Sequence, residues 1–232
     1  MVKRFGTNYG GFYYPQDLKY LDKDSVVYCV GAGEDISHDL EIATTLKSNV
    51  HIFDPTPRSL EHINLIYSVI EDNKNIVIDD KLGGGDPLYW DYVIDTDIKK
   101  EQLHFYPYGV GVECGTLKFY QPINLNHVSH SLISKDQNSS FIEVEIKDIV
   151  TIMKDLGHTH IDLLKMDIEG SEFGVISHML DNNILPTYLS VELHPHKINS
   201  NEDYNLIIGS LLSKGYSLLH RKNNDYTFVL DK

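Results

Sequence analysis

Apolar residues recur along the chain in two alternating patterns. Short apolar runs bounded by turn residues are typical of buried strands, whereas apolar positions three and four residues apart are typical of helices. The runs predict strands over 25–30, 50–53, 103–110, 116–120, 141–146, 161–166, 188–193, 216–219 and 226–230. The helical spacing predicts helices over 36–47, 58–71, 148–156, 172–182 and 202–214. This alternation predicts an α/β fold with a mostly parallel, doubly wound sheet, closed by a C-terminal antiparallel hairpin.

Two segments interrupt the alternation. Residues 1–22, rich in Tyr and Gly, lack a clear period and are expected to form an irregular arm that covers either a ligand or an edge of the core. Residues 75–100 are interpreted as an insertion in which 76–78 and 88–94 pair as a hairpin across a glycine-rich turn. All 232 residues are nevertheless expected to form a single domain.

Charge and cysteine content narrow the class of protein. The balance of 20 basic against 34 acidic residues gives 20 − 34 = −14, and no cluster of Lys or Arg could follow a phosphate backbone. Nucleic acid is therefore not an expected partner. Cys29 and Cys114 cannot form a disulfide framework or a zinc site by themselves, which favours a reducing compartment. With no leader-like start and no apolar run of membrane-spanning length, the protein is expected to be soluble and cytoplasmic.

A glycine turn follows the first long strand. The 25–30 run ends at Gly31-Ala32-Gly33, and Asp54 ends the next strand, 54 − 31 = 23 positions after the first glycine. An acidic residue about 20 positions after a glycine turn is typical of contact with a ribose hydroxyl. The turn thus indicates a ribose-bearing cofactor, with a simple tight turn as the alternative. A nicotinamide cofactor is less favoured because Ile36 stands where its fingerprint has a third glycine.

Carboxylates crowd the end of another predicted strand. The 161–166 run is followed by Asp167, Glu169 and Glu172 around a Gly-Ser break. Such a concentration of negative charge at the carboxyl end of a strand is costly unless a cation, a proton or a polar ligand shares it. Glu192 and His194 end the next predicted strand and are expected at the same edge of the sheet.

Three motifs, in this order, resemble one family. They are 27–37 (VYCVGAGEDIS), 51–57 (HIFDPTP) and 164–172 (LKMDIEGSE), and they resemble FkbM-type S-adenosylmethionine-dependent methyltransferases. The resemblance covers about residues 9 to 195 and implies a class I, Rossmann-like methyltransferase. Many relatives methylate hydroxyls of sugars or other small metabolites. Cys29 stands where many relatives have an acidic residue, and His38 where an aromatic residue is common.

The resemblance assigns cofactor roles to particular residues. The backbone of the glycine turn would approach the methionine part of S-adenosylmethionine, and the acids after the turn would reach its amino group. Asp54 would hold the ribose hydroxyls, and Asp167 would lie next to the methyl-bearing sulfur. The residues implied to bind the cofactor are Gly31, Ala32, Gly33, Glu34, Asp35, Asp54, Pro55, Gly109, Val110 and Asp167.

The residues at the ends of the predicted strands 161–166 and 188–193 offer candidates for a base and for metal ligands. His194 is the preferred group to take the proton of the methyl acceptor, because imidazole titrates near neutral pH, and Asp167 is the second choice. Asp167, Glu192 and His194 could also hold Mg²⁺ or Mn²⁺ bridging an acceptor diol. In the alternative, Glu169 and Glu172 serve only the start of the following helix.

The polar segment 121–140 is expected to be an exposed loop, in which His127, His130 and Ser131 are candidates for contact with the acceptor.

The resulting hypothesis is an O-methyltransferase acting on a small molecule such as a sugar, a nucleotide-sugar or a glycan. A non-catalytic module that binds S-adenosylmethionine is one alternative, because of the departures at Cys29 and His38. An NAD-dependent oxidoreductase is a weaker one. The sequence does not specify the acceptor or the oligomeric state.

Overall fold

The computed structural model describes residues 1–71, 86–120, 141–194 and 201–231. The predicted strand 76–78 and the loop carrying His127, His130 and Ser131 lie outside the described residues.

The described strands and helices follow the predicted alternation. The strands are Val2–Phe5 (β1), Phe12–Pro15 (β2), Val27–Val30 (β3), Val50–Phe53 (β4), Leu103–Tyr106 (β5), Gly109–Gly111 (β6), Gly115–Tyr120 (β7), Phe141–Asp148 (β8), Leu163–Met166 (β9), Tyr188–Glu192 (β10), Tyr216–Lys222 (β11) and Asp225–Leu230 (β12). The helices are Ser37–Leu46 (α1), Pro57–Glu71 (α2), Tyr89–Asp95 (α3), Ile149–Leu156 (α4), Glu172–Asp181 (α5) and Asn201–Ser213 (α6), with a 3₁₀ turn at Lys100–Gln102.

A seven-stranded sheet carries the fold, in the order β11-β12-β10-β9-β3-β4-β5. Strands β10, β9, β3, β4 and β5 are mutually parallel, and β12 is antiparallel to both β10 and β11. The doubly wound sheet with a C-terminal antiparallel hairpin is thus confirmed as a class I, Rossmann-like arrangement. From β3 the strand order runs in opposite directions, towards β4 on one side and β9 on the other, and ligands bind at the carboxyl ends of strands at such a switch point.

Both faces of the sheet are covered, because the central strands are buried on each side. In β3, Tyr28 and Val30 pack in one core with α4, α5 and α6, while Val27 and Cys29 pack in the other. All four residues of β3 are buried, as is typical of a parallel strand between two helical layers. No helix in the described ranges has both the length and the apolar character needed to span a bilayer.

The prediction of an irregular N-terminal arm is wrong for residues 2–15. Strands β1 and β2 form an antiparallel hairpin that pairs Val2 with Pro15 and Phe5 with Phe12. Phe5 and Tyr14 are almost fully buried, at 1% and 0% exposure, and belong to the core that contains α1. Alternate apolar residues in this hairpin therefore form a buried face. The alternation was not recognised in the sequence because a Gly-rich turn separates the two short strands.

The predicted strand at 88–94 is also wrong. This segment is the helix α3, because Tyr89 and Val93, four positions apart, are both buried against α1 and α2.

The predicted strand 103–110 is split into two. β5 lies in the main sheet, and β6 belongs to a separate sheet of order β6-β8-β7. Pro107 stands between them, and its missing N–H cannot continue the ladder of the main sheet. At the end of β8, Asp148 caps α4 as predicted, since its carboxylate accepts a 2.9 Å hydrogen bond from the Thr151 N–H.

Candidate active site

The glycine turn and the carboxylate motif meet at the switch point. Gly31 adopts φ = +84°, and a Cβ atom placed on it would lie 1.8 Å from the carbonyl oxygen of Asp167. Glycine is therefore required for the ends of β3 and β9 to approach each other. Gly33 also has a positive φ, +53°, but a Cβ on it would meet nothing within 4 Å. The backbone at Gly33 borders open space in which a ligand can approach it.

Asp54 holds the glycine turn in place. Its Oδ2 accepts hydrogen bonds from the N–H groups of Ala32 and Gly33, at 2.9 and 3.0 Å. Its Oδ1 accepts from the N–H and the hydroxyl of Thr56, at 2.8 and 2.6 Å. Because a carboxylate offers about four lone-pair positions, these four hydrogen bonds occupy the acceptor positions of the Asp54 carboxylate. The ribose contact implied for Asp54 stays a prediction, and cofactor binding would have to replace some of these bonds.

The two acids after the glycine turn have separate partners. Oε1 of Glu34 forms an ion pair with Arg58, 2.9 Å from Nε and 2.7 Å from Nη2. Asp35 is buried and accepts hydrogen bonds from the Thr7 hydroxyl, at 2.6 Å, and from the Ser37 N–H, at 2.9 Å. Glu34 thus borders the turn as an ion pair, and Asp35 ties the N-terminal hairpin to it.

The N-terminal hairpin carries an aromatic residue, Tyr9, which the sequence did not identify individually as a candidate site residue. Tyr9 lies in the turn between β1 and β2 and is 71% exposed. Partial burial of its hydroxyl, together with the charges of Asp167 and Glu192, raises the pKa of Tyr9 above its usual value. Tyr9 is therefore within the electrostatic influence of Asp167 and Glu192, and the role of the arm in covering a ligand stays a prediction.

A buried lysine lies beneath the glycine turn. Lys165 is only 4% exposed, and its ammonium donates to the carbonyl oxygen of Gly31. Burial lowers the pKa of Lys165, but the charges of Asp39 and Asp167 outweigh that effect and raise it above its usual value. Asp39 is fully buried in α1, and neither of its oxygens is hydrogen-bonded to a described donor. The sequence contained one indication of this pair, a lysine inside an otherwise apolar strand.

His194 lies at the centre of the carboxylate cluster. Its Nδ1 is 2.9 Å from Oε1 of Glu172. Its Nε2 faces three further carboxylates, 3.6 Å from Oε1 of Glu192, 3.8 Å from Oε2 of Glu169 and 3.9 Å from Oδ1 of Asp167. The structure thus brings together the residues that the sequence predicted at the ends of β9 and β10.

Glu172 also shapes the turn after β9. Its Oε1 accepts hydrogen bonds from the N–H groups of Ile168 and Gly170, both at 3.0 Å. Within this turn Glu169 adopts a left-handed backbone, with φ = +59°, and Gly170 has φ = +116°. Glu172 thus binds backbone amides of the turn that precedes α5, and a role of Glu169 at the helix start stays a prediction. The predicted role at the helix start did not include the contact of the same Glu172 oxygen with His194.

The surroundings of His194 change its acid–base behaviour. Burial alone would lower the pKa of His194, but the hydrogen bond to Glu172 and the charges of Asp167 and Glu192 raise it to about 9. The expectation of an imidazole that titrates near neutral pH is therefore wrong, because carboxylates on both sides stabilise the imidazolium. Burial and the charge of Asp167 raise the pKa of Glu192 to about 7.

The remaining predicted cofactor residues lie beside the end of β4. A Cβ on Gly109 would lie 3.3 Å from Cγ of Pro55 and 2.7 Å from Cδ1 of Ile146, so these residues are in close contact. Val110 is buried in the core and pairs with Lys147 of β8. The role of Gly109 and Val110 beside an adenine ring stays a prediction.

Comparison with known proteins gives the family. Two solved structures align with the chain at low identity. The fibrillarin pre-rRNA processing protein of Methanococcus jannaschii is 10% identical, with a TM-score of 0.41, over 99% of this chain and 82% of that one. An rRNA methylase from Streptococcus thermophilus is 14% identical, with a TM-score of 0.41, over 91% of each chain. Both are too distant to bear on the substrate, and no curated protein matches the chain.

The sequence profile of the methyltransferase FkbM domain matches residues 26–218, which include the glycine turn, Asp54 and the carboxylate cluster. The chain belongs to the FkbM family of S-adenosylmethionine-dependent methyltransferases.

Proposed function

We propose that the protein transfers the methyl group of S-adenosylmethionine to a hydroxyl of a small molecule, such as a sugar, a nucleotide-sugar or a glycan. The observation that supports this proposal is the contact between Gly31 and the main chain of Asp167, because it joins the glycine turn to the strand end that carries the carboxylate cluster. A methyl donor on the turn and an acceptor among the carboxylates would then be neighbours, as in-line transfer requires.

The residues around the turn fit the cofactor. The open space above Gly33 lets a ligand contact the backbone, and Asp54 keeps the Ala32 and Gly33 N–H groups in a fixed arrangement. S-adenosylmethionine supplies a methyl group attached to a positively charged sulfur. The carboxylate of Asp167, which follows β9, would stabilise that charge. Pro55, Gly109 and Val110 would border the adenine.

The transfer itself needs a proton acceptor. The acceptor oxygen forms a bond to the methyl carbon with its own electron pair, while the sulfur keeps the electron pair of the breaking C–S bond. The hydroxyl proton must leave. Asp167 is the proposed recipient because its main chain touches the glycine turn, whereas Nδ1 of His194 is engaged by Glu172. His194 would orient and balance the carboxylates around the acceptor.

The same carboxylates favour an acceptor whose reacting part is uncharged, such as the sugar ring of a small molecule. Glu192, Glu169 and Asp167 all lie within 4 Å of one imidazole nitrogen, and together they would repel a phosphodiester backbone. Nucleic acid is therefore not part of the proposed function.

Calorimetry with S-adenosylmethionine tests the cofactor, and methyl transfer from a labelled donor to a panel of sugars and nucleotide-sugars tests the reaction. We expect binding to the wild-type protein, weakened in Asp54→Ala, with Asp24→Ala in an exposed turn as the matched control. Failure of the wild-type protein to bind the cofactor would refute the proposal. Binding of NAD instead would favour an oxidoreductase, and binding without transfer, unchanged in Asp167→Asn, would favour a non-catalytic module.

A further inference from the structure

The two ring nitrogens of His194 have different surroundings. Nδ1 is within hydrogen-bond distance of Oε1 of Glu172, at 2.9 Å. Nε2 is surrounded by oxygens of Glu192, Glu169 and Asp167, but at 3.6 to 3.9 Å from each. Normal N–H···O hydrogen bonds are about 2.7–3.2 Å long, so Nε2 faces three carboxylates without forming a hydrogen bond to any of them.

These separations lie within the range spanned by ligand atoms of one metal ion. Ligand atoms about 2.1 Å from an octahedral ion lie about 3.0 Å apart when adjacent and about 4.2 Å apart when opposite. The distances from Nε2 to the three carboxylates fall between these limits. An ion placed among them would therefore need only small side-chain adjustments to be shared by the imidazole and the carboxylates.

We propose that His194, through Nε2, together with Glu192 and Asp167 forms a binding site for a divalent cation, suited to Mn²⁺. Glu169 would complete the set directly or through water. Glu172 would not bind the metal but would orient the imidazole ring. A metal-bound histidine commonly donates the proton of its other ring nitrogen to such a carboxylate. That arrangement is the one seen between Nδ1 of His194 and Glu172.

Burial gives an independent reason for a cation here. The side chain of Glu172 is fully buried, and its Oε2 is not hydrogen-bonded to any described residue. One carboxylate oxygen of Glu172 and one of Asp167 lie within 4.8 Å of each other and of a His194 ring nitrogen. A buried carboxylate with an unsatisfied oxygen is costly unless positive charge lies near it, and a cation on Nε2 would supply that charge in place of the proton that it displaces from the imidazolium. The side chains of Glu192 and Asp167 are 36% and 38% exposed, so an ion can enter from that side.

The donor set indicates the type of metal. Carboxylates suit Mg²⁺, Ca²⁺ and Mn²⁺, whereas imidazole suits later transition metals. One imidazole among several carboxylates combines both preferences, and Mn²⁺ accepts such a mixed set in octahedral geometry. Buried Cys29, His38 and Asp39 also lie close together, but the ammonium of Lys165 interacts with both Cys29 and Asp39 and would repel a cation.

The role of the metal rests on the proposed function. A hydroxyl bound to a divalent ion loses its proton more readily, and a vicinal diol could bind through both oxygens. If Asp167 binds through Oδ1, its Oδ2 stays available for the released proton. The site would then favour acceptors with two neighbouring hydroxyls, as many sugars have.

Mn²⁺ binding can be measured without cofactor or acceptor. The protein is freed of metal with EDTA, dialysed, titrated with MnCl₂ alone in a calorimeter, and studied by electron spin-echo envelope modulation. We expect one saturable Mn²⁺ per chain and a ¹⁴N modulation from the imidazole, which is lost in His194→Asn. Glu172→Gln should weaken binding by about 10–100-fold, and Glu192→Gln by at least as much.

Asp225→Asn is the matched control. Asp225 pairs with Glu192 across β10 and β12, so this variant removes the same charge nearby without removing a proposed ligand. The proposal is overturned by non-saturable binding, by Mn²⁺ bound without ¹⁴N modulation, or by equal losses in Asp225→Asn and Glu192→Gln. Circular dichroism and S-adenosylmethionine binding are recorded for every variant, so that unfolding is recognised. A protein that binds the cofactor but not Mn²⁺ loses only the metal proposal, and one that binds Mn²⁺ but not the cofactor loses only the proposed function.

Discussion

Gly31 and Asp167 are in such close contact that a single methyl group on Gly31 would lie 1.8 Å from the Asp167 carbonyl oxygen. The two principal motifs of the site are thus joined through the backbone, across β3 and β9. Side chains at the end of either strand can keep their relative positions only while this contact is preserved.

The first prediction concerns Gly31→Ala. A left-handed backbone costs a non-glycine residue about 1–2 kcal/mol, and forced overpacking costs about 1–3 kcal/mol. We therefore expect a loss of about 2–5 kcal/mol in the free energy of unfolding. Urea unfolding followed by circular dichroism measures it.

Gly33→Ala is the matched variant, because its φ is also positive but a Cβ there meets no atom within 4 Å. We expect it to lose only the backbone contribution, about 1–2 kcal/mol, while S-adenosylmethionine binding weakens because the methyl group enters the open space. Equal stability losses in the two variants would contradict the account of the Gly31 contact.

The second prediction concerns the hydrogen bonds of Asp54. Asp54→Asn keeps one carboxylate-like oxygen but replaces the other by an N–H donor facing either Thr56 or the glycine turn. Leaving buried donors unsatisfied costs about 1–3 kcal/mol. We expect destabilisation in this range even without cofactor, measured by thermal unfolding of the unliganded protein. An effect seen only when S-adenosylmethionine is present would mean that Asp54 acts on the ligand and not on the turn.

The third prediction concerns Lys165. In Lys165→Met, Asp39 and Asp167 would both lose a nearby positive charge, and leaving a buried charge uncompensated costs about 3–5 kcal/mol. We expect a loss of that size in urea unfolding. The double variant Lys165→Met/Asp39→Asn should regain part of the stability, because the fully buried charge of Asp39 is then removed as well. Lys23→Met, at an exposed ion pair, should have little effect. Additive losses in the double variant would show that the two side chains act independently.

The fourth prediction concerns pH and the histidines at the other end of the sheet. His51 packs against His104 and His158, with ring centroids 5.0 and 4.7 Å away, and its Nδ1 lies 3.0 Å from the hydroxyl of Tyr106. Burial and the two neighbouring histidines lower the pKa of His51 to about 3. Between about pH 6.5 and pH 3, His51 is therefore protonated in the unfolded chain but neutral in the folded chain. Because the unfolded chain binds more protons, the free energy of unfolding decreases as the pH falls through this range.

We expect His51→Gln to reduce this acid sensitivity. Urea midpoints at about pH 7.5 and about pH 5 should differ less in the variant than in the wild-type protein. His160→Gln serves as control, since His160 is largely exposed and lies next to Asp162. A wild-type protein with the same midpoint at both pH values would contradict the assignment.

Local patterns were sufficient for the parts of the fold that depend on periodicity. Strand β4 and the cap at Asp148 were predicted where they occur, because short apolar runs and capping residues act over a few positions. Residues 2–15 and 88–94 were misassigned because their burial depends on helices that are distant in sequence. Pro107 alone did not reveal that the strand after it joins another sheet.

The site was predicted in part for the same reason. Strand ends identified Gly31, Asp54, Asp167, Glu192 and His194, because the carboxyl ends of parallel strands meet at one edge. Spacing could not show that Glu172 holds Nδ1 of His194, or that Asp54 is occupied by the turn it adjoins. Such contacts are decided by side-chain orientation in the folded chain, which no period in the sequence encodes.

The hydrogen bond between Thr7 and Asp35 determines where a shortened form of the protein can begin. The family match begins at residue 26, so a shortened chain cut at that boundary would contain every cofactor motif yet lack Thr7. Asp35 would then lose a buried partner directly after the glycine turn. The smallest unit able to present an intact site therefore starts upstream of the recognisable methyltransferase domain.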